Sequence, residues 1–229
     1  MKKISICITT YNRGDITHKS YENIVDDERI SEVVIVDDKS KHNHYALLCG
    51  NNQHPKVKLY RNEVNLGVYR NKFQSVLNAE NEWCIVFDSD NVIYTDYLDC
   101  IYNLFWDANS VYLPSFARPD FDYRHLVGKY TRFNISNATK LKKMDAMLNT
   151  MNFFINRQTF LDTHDNSFDP ISADSIYKNY MLLNAGKCLV VVDGLEYDHL
   201  IHKGSHFKET FHKSVNMHRV VNSKIKMMR

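Results

Sequence analysis

Four apolar runs of strand length, Ile4–Thr9, Glu32–Val36, Val57–Tyr60 and Trp83–Phe87, crowd the first half of this chain. Their apolar character is nearly continuous instead of alternating, the pattern of strands covered on both faces. Between them lie stretches with helical spacing, notably Asn71–Ala79, where Phe73, Val76 and Leu77 fall on one side. Strand alternating with helix implies βαβ crossovers and a mostly parallel α/β sheet. Such sheets bind ligands outside the carboxyl ends of their strands. Polar residues stand at three of those ends: Thr9-Thr10-Tyr11-Asn12-Arg13, Asp37-Asp38-Lys39-Ser40 and Asp88-Ser89-Asp90-Asn91. The topology brings them to one crevice.

The second half is less regular. Its pattern predicts a helix over Thr95–Trp106, a strand over Val111–Phe116 and a polar stretch to about Lys143. A strand at Asn152–Asn156, a helix at Asp174–Asn184 and a strand at Cys188–Val192 follow. No repeat or Pro/Gly/Ser-rich linker divides the 229 residues, and a 44% hydrophobic fraction is ample for one core. The expectation is a single domain, with residues 1–92 holding the ligand, 93–206 the second half of the site and 207–229 a basic amphipathic helix. In that tail Phe207, Phe211, Val215, Val221, Ile225 and Met228 alternate with lysines and arginines. Packing back on the domain is the expected role, and peripheral contact with an anionic membrane surface the alternative.

Charge excludes some partners. Twenty-nine basic against 27 acidic side chains leave a net +2, which gives no sign of nucleic-acid binding. Five scattered cysteines, mostly inside apolar runs, read as reduced core residues. The N-terminal run is too short for a signal-peptide core, and no stretch approaches the ~18 apolar residues of a membrane span. A cytoplasmic protein is expected, and the sequons at Asn134 and Asn137 are not expected to be used.

The loop after the first strand reads Thr-Thr-Tyr-Asn-Arg-Gly, without the glycines of a dinucleotide fingerprint, and no Walker lysine loop is present. Asp88-Ser89-Asp90 offers another way to hold a diphosphate, since a hard divalent cation bridges one or two carboxylates to phosphate oxygens.

Taken together, Ile4 to Arg13, Val34-Ile35-Val36-Asp37-Asp38-Lys39-Ser40, Asn65-Leu66-Gly67-Val68-Tyr69-Arg70-Asn71 and Phe87-Asp88-Ser89-Asp90 resemble the family 2 glycosyltransferases of GT-A fold. The four motifs stand in the family's order over roughly residues 3–92, and the similarity is fainter beyond. The resemblance implies a Rossmann-like, mostly parallel sheet flanked by helices, with a nucleotide-binding N-terminal half and an acceptor-binding C-terminal half. It implies that Thr9 and Tyr11 frame the nucleotide base, that Asp38 accepts the N3–H of uracil, and that Asn65 and Gly67 shape a loop with Arg70 near the nucleotide. Asp88 would face the ribose or sugar, and Asp90 would hold Mn²⁺ or Mg²⁺ against the diphosphate.

The family's base is an Asp that begins a helix, commonly second in an acidic pair. Asp174 is the matching residue, although Ala173 replaces the first acid. Its carboxylate would take the proton of the acceptor hydroxyl, and single displacement would invert the anomeric centre. Ser172-Ala173-Asp174 also reads as an ordinary helix start with Ser172 as cap. The Gln-x-x-Arg-Trp motif of processive members is missing, which favours transfer of one sugar. Late in the chain, His199, His202 and His206 stand within a short stretch. The resemblance suggests His199 as a further metal ligand, with His202 and His206 for phosphate or metal; imidazole would favour manganese.

The expected activity is metal-dependent transfer of one sugar from a nucleotide sugar, a UDP-sugar in the first instance, to a hydroxyl of a glycan or other acceptor. Two alternatives stand beside it: a non-catalytic nucleotide-sugar or glycan-binding module, and a sugar-phosphate nucleotidyltransferase.

Overall fold

The computed structural model describes residues 1–119, 121–127, 132–133, 150–200 and 211–227. The four apolar runs form β1 (Ile4–Thr10), β2 (Ile30–Asp37), β3 (Val57–Arg61) and β4 (Trp83–Asp88). All are parallel, with β1 between β2 and β4 and β3 outside β2. Every residue of β1 is buried, as its unbroken apolar run requires.

The rest of the sheet is added by β5 (Asn91–Val92), β6 (Ser110–Arg118), β7 (Phe121–Asp122), β8 (Arg132–Phe133), β9 (Phe153–Asn156) and β10 (Cys188–His199), in the order β3-β2-β1-β4-β9-β6-β10-β5. The long ladders are parallel, and the antiparallel ones, such as β4 with β9 and β5 with β10, are short. β10 runs to His199, well past the expected end at Val192, because it shifts register across residues 193–195 and then pairs again with β6 through Glu196, Tyr197 and Asp198.

The helices are α1 (His42–Asn51), α2 (Val68–Leu77), α3 (Thr95–Tyr102), α4 (Arg157–Asp162), α5 (Asp174–Asn184) and α6 (Phe211–Met227). Two cores lie on the two faces of the sheet. Ile4, Ile6 and Ile8 meet Ile35, Phe87, Tyr97 and Leu98 on the α3 side. Cys7, Val34, Val36 and Val86 meet Tyr69, Val76, Tyr177 and Leu183 on the side of α2 and α5. The covered side of α2 is Tyr69, Lys72 and Val76, whereas Leu77 is exposed, so the helix is rotated from the expected Phe73–Val76–Leu77 stripe.

α6 packs against α5 and the turn before it, with Val221 fully buried. No helix among the described residues is long and apolar enough to cross a membrane.

Candidate functional site

The carboxyl ends of β1, β2 and β4 open into one cleft of about 730 Å³, lined by Thr9, Tyr11, Arg13, Asp38, Asn65, Gly67 and Asp88 among others. Thr9 lies at the bottom, in register with both Val36 and Asp88. The chain leaves β1 through Asn12 and β2 through Lys39, both at positive φ (55° and 64°). Those reversals let the loops stitch together: the Asn12 N–H donates to Ser40 Oγ, and the Lys41 N–H to Asn12 Oδ1. Tyr11, beside this stitch, lines the cleft with 46% of its surface exposed.

Asp38 is buried and fastens the third motif. Its Oδ1 accepts from the Leu66 N–H and from Asn62 Nδ2, both at 2.8 Å, and its Oδ2 from the Gly67 N–H at 2.9 Å. Asn65 Nδ2 donates to its carbonyl. Burial raises the Asp38 pKa above the usual carboxylate value, against the pull of these donors. Gly67 sits at φ 81°, a conformation that suits glycine, and caps α2. Gly14 is required for a different reason: a Cβ there would stand 1.9 Å from the His44 carbonyl. Arg70 is not among the cleft-lining residues, and its Nε finds no hydrogen-bond partner among the described residues. One residue further round the helix, Asn71 lines the cleft instead, donating to the Val36 carbonyl.

At the end of β4 the acidic pair is met by two cations. Lys72 Nζ is 2.9 Å from Asp88 Oδ1 and 4.0 Å from Asp174 Oδ2. Burial disfavours the ionised form of either Lys72 or Asp88. Their mutual attraction wins, holding the ammonium pKa up and the carboxyl pKa down. Asn152 supports the strand end by accepting the Asp88 N–H. Arg13 reaches Asp90, Nη2 to Oδ2 at 3.2 Å. The sequence pattern gave Lys72 no role. The signal was there, since i, i+3, i+7 spacing places it between Tyr69 and Val76 on the covered face of α2.

Asp174 is buried at the first turn of α5, where Ala173, not Ser172, occupies the cap position and makes no side-chain cap bond. His199 closes the other side: it pairs with Asn91 across β10 and β5, its Nδ1 2.7 Å from Asn91 Oδ1, and the following N–H of Leu200 donates to the Asp90 carbonyl. His202 and His206 lie outside the described residues. Among the described residues no three His, Cys, Asp or Glu side chains form a metal cluster. The carboxylate of Asp90 and the imidazole of His199, which is bonded to the neighbouring Asn91, are donor types that a divalent cation shared with phosphate oxygens accepts.

The family model for Glycosyl transferase family 2 matches residues 5–169, which takes in the three strand ends and stops short of Asp174 and His199. The abequosyltransferase RfbV of Salmonella typhimurium is 30% identical over 115 residues, 48% of this chain and 34% of that protein. The poly(ribitol-phosphate) β-N-acetylglucosaminyltransferase TarP of Staphylococcus aureus is 28% identical over 116 residues, 48% of this chain and 35% of its own length. The matches thus span about a third of either relative. Among solved structures, S. aureus TarS residues 1–349 in complex with UDP-GlcNAc superposes with a TM-score of 0.70 at 16% identity, covering 96% of this chain and 65% of that one. The mannosyltransferase PcManGT of Pyrobaculum calidifontis, in complex with GDP-Man and Mn²⁺, gives 0.68 at 14%, covering 92% and 60%. The fold is the GT-A arrangement of these enzymes.

Proposed function

The chain belongs to Glycosyl transferase family 2, and on that footing we propose that it transfers a single sugar from a UDP-sugar to a hydroxyl of a glycan or other acceptor, with inversion. The carrying observation is the convergence of Thr9, Tyr11, Asp38 and Asp88 on one cleft with Asp174 tied to Asp88 through Lys72. The exposed Tyr11 ring offers a stacking face for the base, and Asp38, with its loop already fastened, the acceptor for a base N–H. Asp88, fixed by Lys72 and Asn152, faces the sugar or ribose. Asp174 takes the proton of the acceptor hydroxyl as its oxygen attacks the anomeric carbon, and the carbon–oxygen bond to the nucleoside diphosphate breaks. Asp90 and His199 would hold Mn²⁺ or Mg²⁺, which when bound supplies charge stabilisation for the departing diphosphate. The complexes of the structural neighbours with UDP-GlcNAc and with GDP-Man and Mn²⁺ support a nucleotide-sugar donor and a divalent metal.

The test is thermal-shift titration of the full chain with UDP, GDP, CDP and dTDP, each with Mn²⁺ and with EDTA. A ligand at 100 times its Kd adds about 2.7 kcal/mol of stability. UDP with Mn²⁺ is expected to give the largest shift, and EDTA to remove it. A larger shift with another nucleotide would replace UDP, and no shift with any would overturn the reading.

A further inference from the structure

Both acids of Asp88-Ser89-Asp90 already have a cation from the chain itself, but the two cations are not alike. Lys72, 2% exposed, is sealed under the sheet end between Asp88 and Asp174 and is not among the cleft-lining residues. The Arg13 side chain, 17% exposed, lines the open cleft and meets Asp90, itself 10% exposed, at 3.2 Å. The Arg13 backbone is fixed, because its carbonyl accepts from the Ile16 N–H, the Thr17 N–H and Thr17 Oγ1. Whatever moves there is the guanidinium alone.

We infer that Arg13 is an exchangeable counter-ion, which holds Asp90 in the nucleotide-free protein and passes to the diphosphate when a nucleoside diphosphate arrives with its divalent cation. The inference rests on the proposed nucleotide-sugar chemistry of the same cleft. Lys72 is shared between Asp88 and Asp174, and Arg13 is the cation at Asp90, so a divalent cation arriving alone must displace a guanidinium to reach that carboxylate. A nucleoside diphosphate changes that balance, because its phosphate oxygens offer the planar guanidinium a bidentate partner. Arg13 then exchanges Asp90 for the diphosphate without losing its own counter-charge, and the metal takes its place at that carboxylate. Metal and nucleotide consequently assist each other, and the coupling is reciprocal.

Titration of the full chain with Mn²⁺, followed by electron paramagnetic resonance of the free ion, tests this with and without UDP or GDP. For the wild type, the nucleotide is expected to tighten Mn²⁺ binding by roughly tenfold or more, within the usual range of coupling between sites. Arg13→Gln is expected to bind Mn²⁺ alone roughly tenfold more tightly than wild type and to bind UDP with Mn²⁺ more weakly, which shrinks the coupling. Arg13→Lys keeps the charge and is expected to stay near wild type for Mn²⁺ alone. Equal Mn²⁺ affinity in Arg13→Gln and wild type overturns the inference while leaving nucleotide binding standing. Should Arg13→Gln fail to fold, the wild type still decides: Mn²⁺ binding that UDP and GDP leave unchanged overturns it. Absence of any nucleoside diphosphate binding to the wild type overturns the inference and the proposed function together.

Discussion

The Lys72 ammonium stands between Asp88 Oδ1 at 2.9 Å and Asp174 Oδ2 at 4.0 Å, so one side chain of α2 ties the end of β4 to the start of α5. A lysine this deeply buried carries the full desolvation cost of its charge, which only close carboxylates offset. Removing the lysine leaves Asp88 ionised without its partner. Lys72→Met is expected to lose about 3–5 kcal/mol of stability in urea unfolding. The double variant Lys72→Met/Asp88→Asn should recover most of it. A double variant as unstable as the single would show that Lys72 supports the fold through packing alone.

Asp38 gives a second prediction, on binding. Its two oxygens hold the N–H groups of Leu66 and Gly67, so the loop at the head of α2 depends on one carboxylate. Asp38→Ala leaves those donors without their acceptor, at a cost of about 1–3 kcal/mol. Nucleotide binding should fall further than stability, because Asn65 and Gly67 lose their place in the cleft wall. Asp38→Asn keeps one oxygen acceptor and should lie between the two, as read by unfolding and by UDP titration side by side.

How much of this was legible before the structure depends on where the information lies. Strands β1 to β4 end within a residue or two of their apolar runs; in β1, β2 and β4 nearly every residue is covered, whereas the edge strand β3 is only half-buried and is marked by Val57 and Leu59 alone. α5 is also found where the pattern placed it, from Asp174 to Asn184. α1 left no signal, since Leu48 is its only buried residue and a helix so lightly covered has no stripe to read. The far end of β10 was hidden by its composition: Asp193, Gly194, Glu196 and Asp198 look like a loop, yet Glu196 and Asp198 form ion pairs with Arg118 on β6. The strand ends were visible as acids, but the pairing of Arg13 with Asp90 and of Lys72 with Asp88 depends on tertiary approach, which no local spacing encodes.

Lys178, fully buried on α5, predicts a pH effect on stability. Its Nζ donates to the Phe160 carbonyl at 2.6 Å and to Thr163 Oγ1 at 2.9 Å, and lies 4.0 Å from the Phe160 ring centre. Burial pushes its pKa well below the ordinary lysine range. The folded state then binds fewer protons than the unfolded one, so this group makes stability rise with pH up to the unfolded lysine pKa of about 10.4. Lys178→Met should remove that slope, at most about 1.4 kcal/mol per pH unit, and leave the protein more stable at neutral pH. The Thr163 hydroxyl already donates to the Thr159 carbonyl, so the substitution does not strand it. Urea unfolding of both proteins at several pH values checks this. Parallel stability curves would mean that Lys178 stays charged in the fold.

The proposed base is the most demanding assignment, because Asp174 lies beyond the residues that the family model matches. Its position nonetheless separates two roles cleanly. Asp174 is not among the residues lining the nucleotide cleft, and Lys72 stands between it and Asp88. Asp174→Asn is nearly isosteric, and should therefore leave UDP binding and the fold close to wild type. Loss of a general base slows transfer by about 10²- to 10⁴-fold. Transfer and nucleotide affinity measured on one preparation decide it: a fall in affinity matching the fall in rate would make Asp174 a donor-binding residue. Unchanged transfer would move proton abstraction to another group.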